Sequence, residues 1–209
     1  MAFSRLSLLS KKKSLRLDFD KVKDFKYFDE SQQIRQTIGM VKISEDLFLG
    51  ICSEQVRNKF LKNPPKNMFD RVVCLSMLDK EYDKQPEDFD YHLVGDVPKQ
   101  KLERNFPEII LNYNREKLGD DDNSFDDFRK QLPQLLEILE PYIVFQEKRI
   151  LIMINCLAGI KRSAAMCMAV LMKTMKINAD ESLGKISSVR SVVNPPKTFV
   201  CVLKNYDFQ

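Results

Sequence analysis

The sequence lacks the marks of several common protein classes. Its five cysteines, Cys52, Cys74, Cys156, Cys167 and Cys201, contain no Cys-x-x-Cys pair. An odd, widely spaced set argues against a disulfide framework and a zinc site, and fits a reducing intracellular compartment, cytoplasmic or nuclear. The single histidine, His92, has no plausible cysteine or acid partner by sequence and reads as a surface or half-buried side chain. The apolar segment 150–154 is far below the roughly 20 residues needed to span a bilayer. At the N-terminus, serines break the apolar stretch before the basic run Lys11 to Lys13, a poor signal peptide, and Ala2 excludes N-myristoylation. With 34 Lys and Arg against 30 Asp and Glu, the net charge is +4, too weak to announce nucleic-acid or membrane binding. No internal repeat or low-complexity tract occurs. The expectation is a soluble protein with no membrane span, no specific nucleic-acid partner, no cofactor and no metal.

What is present suits one folded domain. A chain of 209 residues, 44% hydrophobic, can bury one sizeable core. Residues 1–40 mix basic and acidic side chains without a sustained period and read as a basic N-terminal extension. Residues 79–107 are polar and punctuated by Pro86, Gly95, Pro98 and Pro107, which suggests an insert within a domain covering 41–209. Either segment is a candidate surface for a partner protein.

Strand and helix patterns alternate. Residues 41–51 carry apolar side chains near period two and read as one strand ending at a turn near Gly50. A short helix precedes Pro64-Pro65, and 69–76 reads as a buried strand, as does 108–113. A helix begins near Phe125, capped by Ser124 or Asn123, with Leu132, Leu135, Leu136, Leu139 and Ile143 on its apolar face. The most apolar strand, 150–154, belongs at the centre of the sheet. Helices follow over 162–176, about 179–189 and about 196–207. This order predicts an α/β fold, with a central, mostly parallel twisted sheet flanked by helices.

The chemistry concentrates between the central strand and the helix behind it, in Asn155-Cys156-Leu157-Ala158-Gly159-Ile160-Lys161-Arg162-Ser163. Five residues separate Cys156 from Arg162. A loop of that size, closing on a helix N-terminus, can aim the backbone N–H groups of Leu157, Ala158, Gly159, Ile160, Lys161 and Arg162 at one oxyanion. Gly159 supplies the freedom a tight curl needs. The Arg162 fork can hold two phosphate oxygens. The same donors favour a thiolate at Cys156, and Ser163 can donate to its sulfur. Cys74, Cys167 and Cys201 read as ordinary buried thiols.

The run resembles the Cys-(x)5-Arg-Ser signature loop of dual-specificity phosphatases, within the larger protein tyrosine phosphatase group. The likeness extends to 43–50, to 69–76 and to Asn194-Pro195-(x)3-Phe199, and covers about residues 41–207. It implies the protein tyrosine phosphatase fold and phosphorylated protein as substrate. It also implies an acid on the loop between strand 108–113 and the following helix. Asp120 matches the family's strand-to-acid spacing from Tyr113. Asp121 and Asp122 are close rivals, and Asp96 is a more distant candidate.

Two departures stand out. Asn155 occupies the position where the family has histidine, and Pro196 follows Pro195 where the family often has asparagine. The resemblance therefore carries two expectations. One is hydrolysis of protein phosphomonoesters on Ser, Thr or Tyr, with Cys156 as nucleophile, Arg162 as clamp and Asp120 as acid. The other, raised by Asn155, is a weak or inactive pseudophosphatase that binds phosphoprotein or serves as a structural subunit.

Overall fold

The computed structural model describes residues 37–65, 67–78, 107–114, 116–144 and 148–208. His92, Asp96, nearly all of the extension and nearly all of the insert lie outside the described residues.

Five strands form one sheet: β1 (Gly39–Lys42), β2 (Leu47–Ser53), β3 (Arg71–Ser76), β4 (Glu108–Tyr113) and β5 (Ile150–Cys156), in the spatial order β1-β2-β5-β3-β4. β1 pairs antiparallel with β2, and every other pairing is parallel. The helices are α1 (Glu54–Lys62), α2 (Phe125–Val144), α3 (Arg162–Met175), α4 (Ala179–Val189) and α5 (Lys197–Lys204). Among the described residues, no helix is long and apolar enough to cross a membrane.

β5 occupies the centre, as its composition predicts, and all seven of its residues are buried. A strand covered on both faces has no polar side to spare, hence the unbroken apolar run. Its side chains alternate between two cores. Ile150, Ile152, Ile154 and Cys156 join the large core, which also takes in the apolar faces of α2, α3, α4 and α5. Leu151 and Met153 join a smaller one with Val56 and Phe60 of α1. Each fully buried aliphatic side chain contributes on the order of 1.5–3 kcal/mol, so these cores dominate the stability of the sheet.

Three expectations need correction. Residues 41–51 are not one strand, because β1 and β2 form a hairpin whose turn falls at the polar Ser44-Glu45-Asp46. There the Ser44 hydroxyl accepts from the backbone N–H of Asp46 and Leu47. Gly50 instead lies inside β2, where an added Cβ would come within 3.2 Å of Ile38 and Leu151 side-chain carbons. The start of α2 also differs. A 3₁₀ turn (Asp122–Ser124) runs into the helix, so Asn123 and Ser124 lie inside helical backbone rather than at the extended position a cap needs, and the Ser124 hydroxyl donates to Asp121 Oδ1 at 2.8 Å. Lastly, Cys201 is exposed, because Phe199, Val202 and Leu203 take the buried face of α5. Cys74 and Cys167 are buried as expected.

Candidate active site

Cys156 is the last residue of β5, in register with Ser53 of β2, so its position is fixed by the ladder of the central strand. Gly159, the midpoint of the following loop, has φ +66°, a left-handed conformation that glycine adopts without steric cost. Space is the second constraint there, since a Cβ on Gly159 would collide with the backbone carbonyl of Cys52.

The outer side of the loop is bound through its carbonyls. Arg190, fully buried, donates from Nε to Gly159 O at 2.9 Å and from Nη2 to Ala158 O at 3.1 Å. The backbone N–H of Asn194 donates to Ile160 O at 2.9 Å. In a trans peptide the C=O and the next N–H point in opposite directions. Three consecutive carbonyls aimed outward therefore turn the N–H groups of Gly159, Ile160 and Lys161 toward the inside of the ring, where an oxyanion fits. α3 begins immediately behind, and its Lys161 N-cap makes no side-chain capping bond, so the first-turn N–H groups and their partial positive charge also face this point.

The sulfur sits among these donors. Ser163 Oγ lies 3.2 Å from Cys156 Sγ. Burial opposes ionisation of Cys156 but is outweighed by the Ser163 hydroxyl, the backbone N–H of Ser163 and Ile160, and the charge of Arg162, which hold the thiol below its ordinary value. Cys52 and Cys167, equally buried but without such a ring, are pushed up by desolvation. Environment thus distinguishes one thiol from its neighbours.

Arg162 reaches from the first turn of α3 and donates through Nη1 to Leu118 O at 3.0 Å. Its Nε is buried and bonds to no group among the described residues, leaving that edge of the fork for an incoming anion. The Leu118 contact also brings the acidic loop against the loop between Cys156 and Arg162. Of the three aspartates there, Asp121 is occupied with Ser124, whose hydroxyl holds its carboxyl below the usual range. Asp122 accepts from the N–H and hydroxyl of Thr198 at the start of α5. Asp120 is half-exposed and faces Lys161, with Oδ1 3.8 Å from Nζ. Gly119, between Leu118 and Asp120, lets the Ser124 side chain approach closely, because a Cβ there would strike it.

Asn155 points to the other face of the sheet and is fully buried. Arg57 Nη1 donates to its Oδ1 at 3.4 Å, and its Nδ2 donates to Ser76 Oγ at 3.2 Å. Pro196 serves as the N-cap of α5 and offers no side-chain bond to the loop.

The structure therefore brings together Cys156, Arg162, Ser163, the loop amides and Asp120, and diverts Asp121 and Asp122 to structural bonds. Sequence reasoning missed Arg190, Arg57 and Ser76. A basic residue near a helix C-terminus is favourable there on general grounds, so nothing local in the sequence marked Arg190 as the loop's support. Among the described residues, no group of three or more His, Cys, Asp or Glu is arranged to hold a metal ion.

Comparison with known proteins agrees with this geometry. A family model for the dual specificity phosphatase catalytic domain matches residues 73–209. Human dual specificity protein phosphatase 1 is 34% identical over 58 residues, 28% of this chain and 16% of that protein. Human dual specificity protein phosphatase 2 is 33% identical over 58 residues, 28% of this chain and 18% of that protein. The chain thus aligns with less than a fifth of the length of the curated relatives it matches. Among solved structures, a mouse dual specificity phosphatase superposes with a TM-score of 0.50 at 16% identity, covering 86% of this chain and 90% of that one. DUSP15 superposes with a TM-score of 0.50 at 14% identity, covering 80% and 86%. Both share the fold. Because the catalytic-domain model matches well more than half of this chain, through β5, the loop and every helix described behind it, the chain belongs to the dual specificity phosphatase family.

Proposed function

We propose that the chain hydrolyses phosphomonoesters on protein serine, threonine or tyrosine through a phosphocysteine intermediate. The observation that carries this reading is the ring around Cys156, in which a buried thiol is nevertheless shifted toward its anion. The unpartnered Nε of Arg162 beside it supports the same reading.

In the first step the Cys156 thiolate attacks phosphorus and the ester P–O bond breaks. Asp120, protonated, gives its proton to the departing oxygen, and the equatorial oxygens rest on the loop amides and Arg162. In the second, Asp120 as carboxylate takes a proton from water, whose oxygen attacks the phosphocysteine. The P–S bond breaks, inorganic phosphate leaves, and Ser163 donates to the returning thiolate. Over the full cycle the proton given to the departing oxygen is replaced from the attacking water, so Asp120 and Cys156 return to their starting states.

The pseudophosphatase expectation rested on Asn155, and that side chain is bonded at both its oxygen and its nitrogen, which supports a loop held in shape without histidine. The test is turnover of a chromogenic aryl phosphate by the full chain. Cys156→Ser is expected to abolish it, vanadate to inhibit it and EDTA to leave it intact. Absence of Cys156-dependent turnover across a pH series would overturn the reading.

A further inference from the structure

Lys161 has no structural use for its side chain in the helix it precedes. It caps α3 through its backbone only, with its carbonyl accepting from Ala165 N at 3.0 Å, and the cap has no side-chain bond. Its ammonium instead reaches across to the acidic loop and meets Asp120 at 3.8 Å. The next residue, Arg162, bonds the backbone of that same loop at Leu118. Two consecutive cations of the phosphate loop therefore hold the acidic loop from one side, while Thr198 holds it from the other through Asp122. Of these contacts only the Lys161 pair touches Asp120 itself. Both partners are half-exposed, so the pair adds little to stability. What it constrains is where the Asp120 carboxyl sits.

We propose that Lys161 is a positioning residue for the general acid, docking Asp120 over the phosphate loop by an ion pair. This rests on the function proposed above and concerns only the proton-transfer part of it. The acid matters most when the leaving group is a poor one, because a good leaving group departs as its anion without help. Hydrolysis of the phosphocysteine is common to all substrates, so the comparison is made in kcat/KM, which covers only binding and ester cleavage; there a residue that acts through Asp120 must affect substrates unequally, whereas a residue that binds phosphate affects them alike.

The experiment measures kcat and KM of the full chain on 4-nitrophenyl phosphate, with its good leaving group, and on phenyl phosphate, with its poor one. Lys161→Met is expected to lower kcat/KM for phenyl phosphate about tenfold while changing that for 4-nitrophenyl phosphate much less, since misplacing a general acid forfeits part of its typical 10²–10⁴-fold contribution. Lys161→Arg should restore most of the difference. About 1 M salt, where the screening length shrinks to roughly 3 Å, should reproduce the Lys161→Met selectivity in the wild type. In an Asp120→Asn background, Lys161→Met should add no further selectivity. An equal loss of kcat/KM on both substrates would assign Lys161 to the phosphate itself and overturn the proposal. Absence of Cys156-dependent turnover on either substrate would instead overturn the proposed function.

Discussion

Arg190 and Gly159 are joined by a 2.9 Å bond from Nε to the glycine carbonyl, and the same guanidinium holds Ala158 O and Thr37 O. One buried side chain thus ties the loop after Cys156 to the segment entering β1. Arg190→Met leaves the loop carbonyls without their donor, at a cost of about 3 kcal/mol, and should lower the melting temperature by roughly 10 °C. Arg190→Lys should recover little, because a single ammonium cannot reproduce the planar fork. Calorimetry of the two variants checks this, and a melting temperature within a degree or two of wild type for either would contradict it.

Gly159 has the positive φ and no room for a side chain. Gly159→Ala should cost about 3 kcal/mol, adding the left-handed backbone penalty to an overlap with the Cys52 carbonyl that flexible atoms cannot relieve. Activity should fall with it, since the ring cannot close around the same centre. Urea unfolding and turnover on an aryl phosphate measure both effects.

Ser163 is the first donor by which the loop overcomes the burial of Cys156. Ser163→Ala should move the midpoint for alkylation of Cys156 by iodoacetamide to higher pH. The sign for stability follows. With its folded-state value below the unfolded one, the thiol contributes stability that is fully present above the unfolded value and lost as pH falls through the folded value. Ser163→Ala should narrow that window from its acid side. An alkylation profile unmoved by the substitution would count against the role given to this hydroxyl.

Asn155 bridges Arg57 of α1 and Ser76 of β3 beneath Cys156. Asn155→Leu fills similar space but deprives the Ser76 hydroxyl of a donor and removes one acceptor from Arg57. A loss of about 2 kcal/mol is expected, or roughly 6 °C in melting temperature, accompanied by reduced turnover. Thermal unfolding tests the first and steady-state kinetics the second.

Much of this was legible because the signals are local. The apolar run of β5, the five-residue gap from Cys156 to Arg162 and the glycine between them fall within a short stretch, and strand, loop and helix order follow from it. The hairpin at Ser44-Glu45-Asp46 was obscured because apolar residues on both sides preserve an apparent single period, and Gly50 looks like a turn while serving as close packing. The partners that hold the loop were illegible for a different reason. Arg190 lies 31 residues beyond Gly159 and Ser76 lies 79 before Asn155, and only the folded topology brings them together. The different partners of Asp122 and Asp120, Thr198 and Lys161, likewise come from outside the acidic run, and no spacing within it reveals them.

The alternation of β5 between two cores has a consequence for how the protein tolerates change. Its last two residues face opposite sides of the sheet, Asn155 toward Arg57 and Cys156 toward Ser163. Inserting or deleting one residue within the strand would exchange them, sending the thiol to the blind side and an amide into the cradle. Such a strand would still be apolar and still pair with both neighbours. Swaps among its aliphatic residues should therefore be forgiven far more readily than any change in its length.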